Sequence, residues 1–195
     1  MKILIVADEE SKYIWDHFDP ARFKDVELIL SCGDLKASYL SYLVSMIHAP
    51  LFYVHGNHDT TYGQMPPEGC DCIEDRLVTF KGLRILGLGG SFRYSPGEHQ
   101  YKERQMRWRI AKQKPKLWLK GGVDLLVTHA PAYKLGDGED LCHRGFESFV
   151  SFLDQYRPRY MVHGHQHLNY GRNARVRQYK DTTIVNGFGY HLLEV

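Results

Sequence analysis

Short runs of Ile, Val, Leu and aromatic residues recur along the chain at 3–7, 26–30, 51–54, 83–88, 123–127 and 160–162, most of them apolar at every position instead of every second one. A strand apolar on both sides is one covered on both faces, so these runs predict strands inside a layered fold. Between them, 38–48, 102–114 and 146–156 read as helices, the second opening after Ser95-Pro96-Gly97 and the third after Gly145. The tail, 182–195, predicts two further strands interrupted at Asn186-Gly187 and Gly189. Strand and helix alternate in one chain, which makes the class α/β. No repeat or low-complexity linker divides the sequence, and 195 residues suffice for a substantial core, so one domain over 1–195 is expected.

Composition removes several classes. With 43% hydrophobic and 25% charged residues the chain has ordinary globular makeup and is not expected to be disordered. No apolar run approaches the ~20 residues of a membrane span. The opening MKILIVADEE turns acidic where a leader would carry a small-residue cleavage site, and reads as a first strand. Lys+Arg exceed Asp+Glu by 25 to 23, so net charge gives no global case for nucleic acid. Cys70 and Cys72 are spaced too tightly for a zinc knuckle, and Cys32 and Cys142 stand alone. The four read as reduced thiols of a cytoplasmic protein, with Cys142 a loop thiol.

The polar residues that follow the runs carry the chemistry. The first run ends in Asp8 with Glu10 two residues on, and the second in Cys32-Gly33-Asp34. The third ends in His55-Gly56-Asn57-His58-Asp59, the fifth in Thr128-His129, and the sixth in His163-Gly164-His165-Gln166-His167. In open α/β sheets ligands bind beyond the carboxyl ends of the strands, so these groups are expected to converge. Asp8, Glu10, Asp34, Asn57, His129, His165 and His167 make seven oxygen and nitrogen ligands without a thiolate. That exceeds the four of a structural zinc and suits two divalent ions such as Mn, Fe, Zn or Co. Two ions ~3.5–4 Å apart hold a hydroxide and clamp a phosphoryl group, which points to phosphoester hydrolysis. Glycines at 33, 56 and 164 allow the sharp turns that keep Cβ atoms out of such a centre.

In order and type, Asp8, Gly33-Asp34, Gly56-Asn57-His58-Asp59, His129 and Gly164-His165-Gln166-His167 resemble the motif set of the calcineurin-like metallophosphoesterases. The resemblance implies a four-layer sandwich of two mixed β-sheets flanked by helices. It implies a first ion held by Asp8, position 10, Asp34 and His167, and a second held by Asp34, Asn57, His129 and His165. His58 would stand just outside the metals and act on the phosphate or leaving oxygen, with Asp59 orienting its imidazole.

Position 10 departs from the pattern, where histidine is usual. Glutamate can still ligate through oxygen, which raises the ligand charge and as a harder donor shifts preference toward Mn; the alternative is that Glu10 points to solvent and the first ion binds loosely or not at all. Residues 93–120 hold nine Lys/Arg against Glu98 and Glu103, interleaved with Tyr94, Tyr101, Trp108 and Trp118. They read as an amphipathic helix on the fold, or as a basic insert or lid that steers phosphate-rich substrates. Arg93 is the candidate phosphate-binding arginine. The loop 135–144 is acidic without calcium-binding spacing, and His143 is expected to contact substrate at most. The reading is a cytoplasmic, metal-dependent phosphoesterase, acting on phosphodiesters in preference to monoesters, with no membrane partner. The alternatives are a non-catalytic scaffold on the same fold and a nuclease using 93–120; oligomeric state is not legible.

Overall fold

The computed structural model describes residues 1–168 and 174–195. In chain order the elements are β1 (Lys2–Ala7), α1 (Lys12–Asp16), α2 (Pro20–Phe23), β2 (Val26–Ser31), α3 (Ala37–Ile47), β3 (Leu51–Tyr53), β4 (Cys70–Cys72), β5 (Leu77–Phe80), β6 (Leu83–Leu88), β7 (Ser91–Phe92), β8 (Gln100–Tyr101), α4 (Glu103–Leu119), β9 (Leu125–Thr128), α5 (Glu147–Tyr156), β10 (Tyr160–His163), β11 (Val176–Tyr179), β12 (Thr182–Asn186) and β13 (Gly189–Glu194). Every apolar run became a strand. They pair into a five-stranded sheet ordered β13-β1-β2-β3-β4 and a six-stranded sheet ordered β11-β12-β10-β9-β6-β5. Both sheets are mixed: β1, β2, β3 and β4 run parallel with β13 antiparallel, and β6, β9, β10 and β12 run parallel with β5 and β11 antiparallel.

Alternation within β1 explains its unbroken apolar character. Ile3, Ile5 and Ala7 face inward and, with Leu28 and Leu30, meet Ile85, Leu125, Val127, Val162 and Val185 of the second sheet. Leu4 and Val6 face the other way, onto Ile14, Tyr39, Leu40 and Leu43 of the helices. The outer face of the second sheet, Leu86, Leu126, Met161 and Ile184, is covered by Met106, Ile110 and Leu117 of α4 and by Phe149, Phe152 and Leu153 of α5. The result is helix, sheet, sheet, helix, as the resemblance implied. Truncating a fully buried member such as Leu30 to Ala costs about 2–5 kcal/mol.

The basic segment is part of this layering. α4 continues through Pro115 to Leu119, past the end at 114 expected from sequence, because Leu117 is buried and holds the last turn to the sheet. Arg109, one of its basic residues, is not available to substrate. It is 5% exposed, donates to Asp75 (Nε–Oδ1 2.9 Å), to the Gly89 carbonyl (2.7 Å) and to Glu74, and lies over the Tyr101 ring. Arg104, Arg107, Trp108, Lys112, Lys114, Lys116 and Trp118 form the exposed face.

Candidate metal centre

The strands of both sheets end at one place. Asp8, Asp34, Asn57, His58, His165 and His167 line a cleft of about 490 Å³ together with Tyr94, Cys142 and His143. Three of these residues leave their strands through left-handed backbone, Asp8 at φ 64°, Asp34 at φ 58° and His165 at φ 64°. Non-glycine residues held this way cost of order 1–3 kcal/mol each. The turns need glycine beside them: a Cβ on Gly164 would stand 2.6 Å from Asp8 Oδ2, and one on Gly56 would overlap the Asp34 carboxylate.

His129 is fully buried beneath the cleft. Its Nδ1 is 2.7 Å from the Cys32 carbonyl, which fixes one proton there and leaves Nε2 to take a second proton or a metal ion. Nε2 faces Asn57 Oδ1 at 3.1 Å and Asp34 Oδ2 at 3.3 Å. These groups share the point between them through a cation, a second proton on Nε2 in the metal-free protein or a metal ion in its place. The set therefore fits a divalent ion that takes imidazole, amide and carboxylate. His165 joins it: its Nε2 lies 2.6 Å from the Cys142 carbonyl, so its Nδ1 carries the lone pair, and ligand atoms of Asp34, His129 and His165 lie within 4.8 Å of one another. The Cys142 contact was not legible in the sequence, since a backbone carbonyl leaves no residue-type signal.

The electrostatics agree. Burial opposes charging His129, yet Asp34 and Asp8 outweigh it and raise the ring to about 9. Burial also opposes charge on Asp34, but His129 and the His58 amide hold its carboxyl at about 2. Asp8 is pushed up to about 6, chiefly by burial and with Asp34 contributing. His165 is lowered to about 3 by burial and by His129. The carboxylates that would draw a proton onto His129 attract a metal ion in its place.

The other expected residues take varied positions. Asp8 accepts from the His165 backbone N–H at 2.9 Å, joining the two sheets. His167 is exposed, its ring 4.7 Å from that of Phe188. Glu10 turns into an adjoining lobe shared with Asp8, Asp34 and His58, where its Oε1 lies 3.4 Å from Lys36 Nζ. His58 is exposed at the junction of both lobes, its backbone N–H donating to Asp34 Oδ1 at 2.8 Å. Asp59, expected beside the His58 imidazole, makes its hydrogen bonds to the backbone. Its Oδ2 accepts from the Gly56 and Asp34 backbone N–H groups at 2.7 and 2.9 Å, since two converging amides beside a buried carboxylate outcompete one exposed ring. Asp59 thus ties the loop after β3 to the loop after β2.

Arg93 is exposed and is not part of the cleft lining; its backbone N–H bonds to the Tyr101 carbonyl at 3.0 Å. Successive side chains of an extended segment point to opposite sides, and the neighbour, Tyr94, faces the cleft. Its hydroxyl accepts from Asn57 Nδ2 at 3.2 Å, which aims Asn57 Oδ1 at His129. His143 does line the cleft, its ring 5.3 Å from that of His165.

The sequence model of the calcineurin-like phosphoesterases matches residues 1–169. An uncharacterized protein of Haemophilus influenzae is 27% identical over 210 residues, covering 93% of this chain and 90% of its own. Among solved structures, TT1561 of Thermus thermophilus superposes with a TM-score of 0.65 at 14% identity, covering 96% of this chain and 88% of the other. GAP50, the anchor in the inner membrane complex of Plasmodium, gives 0.56 at 14%, covering 95% and 70%. Likeness at that identity speaks for the fold.

Proposed function

The chain belongs to the calcineurin-like phosphoesterase family, and from that premise we propose that it is a metal-dependent hydrolase of phosphate esters, preferring phosphodiesters. The convergence of His129, Asn57 and Asp34 on one point carries this reading. Asp34, Asn57, His129 and His165 would hold one ion, and Asp8, Glu10, Asp34 and His167 a second, with Mn favoured by the carboxylate at position 10. When bound, the pair supplies a Lewis-acid clamp on the phosphoryl group and an activated water.

The side chains around that centre divide the remaining work. His58 has its backbone fixed by Asp34 and its ring exposed to both lobes, so it can follow a phosphoryl oxygen and give a proton to the leaving oxygen. Tyr94 and Cys32 fix the rotamers of Asn57 and His129 before substrate arrives. His143 offers a polar contact on the far wall. Two lobes meeting at Asp8, Asp34 and His58 give room for an ester group on each side of the phosphorus, which favours a diester. Four free cysteines support a reducing, cytoplasmic setting.

The test is a panel of activated monoester, activated diester and single-stranded DNA with added Mn. Diester turnover that disappears on chelation is expected. DNA cleavage would show the basic face of α4 delivering a polyanion, and no turnover on any substrate would leave a scaffold, the role of anchor that GAP50 has on this fold.

A further inference from the structure

The loop between β9 and α5 contains a second cluster of ligand atoms. Asp140 Oδ1 accepts from the His143 backbone N–H at 2.8 Å and from Cys142 Sγ at 3.0 Å. His143 Nδ1 lies 2.9 Å from Asp140 Oδ2 and 3.3 Å from Cys142 Sγ. A thiol, an imidazole nitrogen and a carboxylate oxygen thus meet within 4.8 Å of one another. We propose that Asp140, Cys142 and His143 form a further metal site, selective for a thiophilic dication of the zinc type, on the wall of the cleft and separate from the centre described above.

Zinc-type ions take Cys sulfur, His nitrogen and Asp oxygen together in a tetrahedron, with the fourth position open when the protein supplies three. Metal–ligand bonds of that kind set donors roughly 3.3–3.6 Å apart, so the cluster needs to open by about half an ångström. The loop is otherwise shaped in advance. Gly138 N–H bonds to the His143 carbonyl at 3.0 Å, and Gly145 N–H to Asp137 Oδ2 at 3.0 Å. A Cβ on Gly138 would meet the His143 Cβ at 2.7 Å, so glycine is what lets the loop fold back. Gln166 Nε2 donates to the His143 carbonyl at 2.9 Å, tying the loop to the strand-end that carries His165.

Softness separates this site from its neighbour. None of the seven oxygen and nitrogen ligands of the proposed pair is a thiolate, whereas Cys142 provides one and selects zinc over manganese or magnesium. The thiol is protonated beside Asp140, which raises its pKa. Binding replaces the S–H bond by an S–metal bond and releases one proton to solvent. Because the Cys142 carbonyl bonds to His165 Nε2 at 2.6 Å, an ion here also stiffens the group that orients His165.

Cobalt titration of the full chain tests the site without relying on turnover. A near-ultraviolet thiolate-to-cobalt charge-transfer band is expected in wild type. It is expected to persist in Asp34→Asn, which disables the neighbouring centre, and in a Cys70→Ser/Cys72→Ser double variant. It is expected to vanish in Cys142→Ser, and His143→Ala, losing a direct ligand, should weaken the titration roughly tenfold or more. No band at saturating cobalt, or a band that survives Cys142→Ser, would overturn the proposal. Neither result bears on the phosphoesterase reading, whose ligands include no sulfur.

Discussion

His129 Nε2 lies 3.3 Å from Asp34 Oδ2, across the gap between the two sheets, while its other nitrogen is held by the Cys32 carbonyl. The histidine follows β9 and the carboxylate follows β2, so packing one sheet on the other is what assembles the pair. Stability of the inter-sheet core and the geometry of the metal centre are therefore one problem.

Metal loading should depend on pH in two stages. His129 sits at about 9 and Asp8 at about 6, and both must be proton-free to ligate. Apparent affinity should fall about tenfold per pH unit below 9 as one proton competes, and more steeply below 6. In the metal-free protein the sign for Asp8 reverses. A carboxyl raised above its ordinary 3.8 adds stability that is full below that value and is lost as pH rises through about 6. Titration calorimetry and thermal melts from pH 5 to 8 measure the two trends, and Asp8→Asn should remove the extra loss of affinity below 6 and the Asp8 stability trend while the slope set by His129 remains.

Glu10 has a competitor. Its pairing with Lys36, 77% exposed at the side chain, is a surface contact worth at most about 1 kcal/mol, which a dication at the first site outweighs. Elemental analysis should give two ions in wild type and Lys36→Ala and about one in Glu10→Ala. Two ions in Glu10→Ala would remove glutamate from the ligand set.

Arg109→Ala should destabilise the fold by up to about 3–5 kcal/mol, because it takes the guanidinium from the largely buried Glu74 and leaves His55 as its remaining charged neighbour. Denaturant melts check it. Arg104→Ala with Arg107→Ala, on the exposed face, should leave stability within about 0.5 kcal/mol. That pair should instead raise KM for polyanionic substrates in a salt-dependent way while sparing a small ester.

His58→Ala should lower kcat by roughly 10²–10⁴ with metal content unchanged, the signature of a positioned proton donor. Loss of metal in that variant would place His58 among the ligands.

The strand ends were legible because each doubly buried run had to stop where a polar residue began: Val6-Ala7-Asp8 and Val127-Thr128-His129 announce both the strand and its cargo. Short elements on the rims, such as β4, β7 and β8, carry two or three residues each, too few to show a period. The partners of Asp59 and Arg109 were not legible for a common reason. Residue type signals what a side chain offers, but partner choice is set by tertiary neighbours, here two backbone amides and the Glu74–Asp75 pair. Tyr94 was hidden beside the more suggestive Arg93, where only the phase of an extended segment decides which of them faces the cleft.

The central claim is that the atoms around His129 Nε2 hold ions that hydrolyse phosphate esters. Manganese titration of metal-free protein, following hydrolysis of an activated phosphodiester, measures it directly. The account predicts turnover that grows with added metal, saturates near two equivalents, and is abolished both by chelation and in Asp34→Asn. Two ions bound with no hydrolysis of diester or monoester at any metal concentration would contradict it.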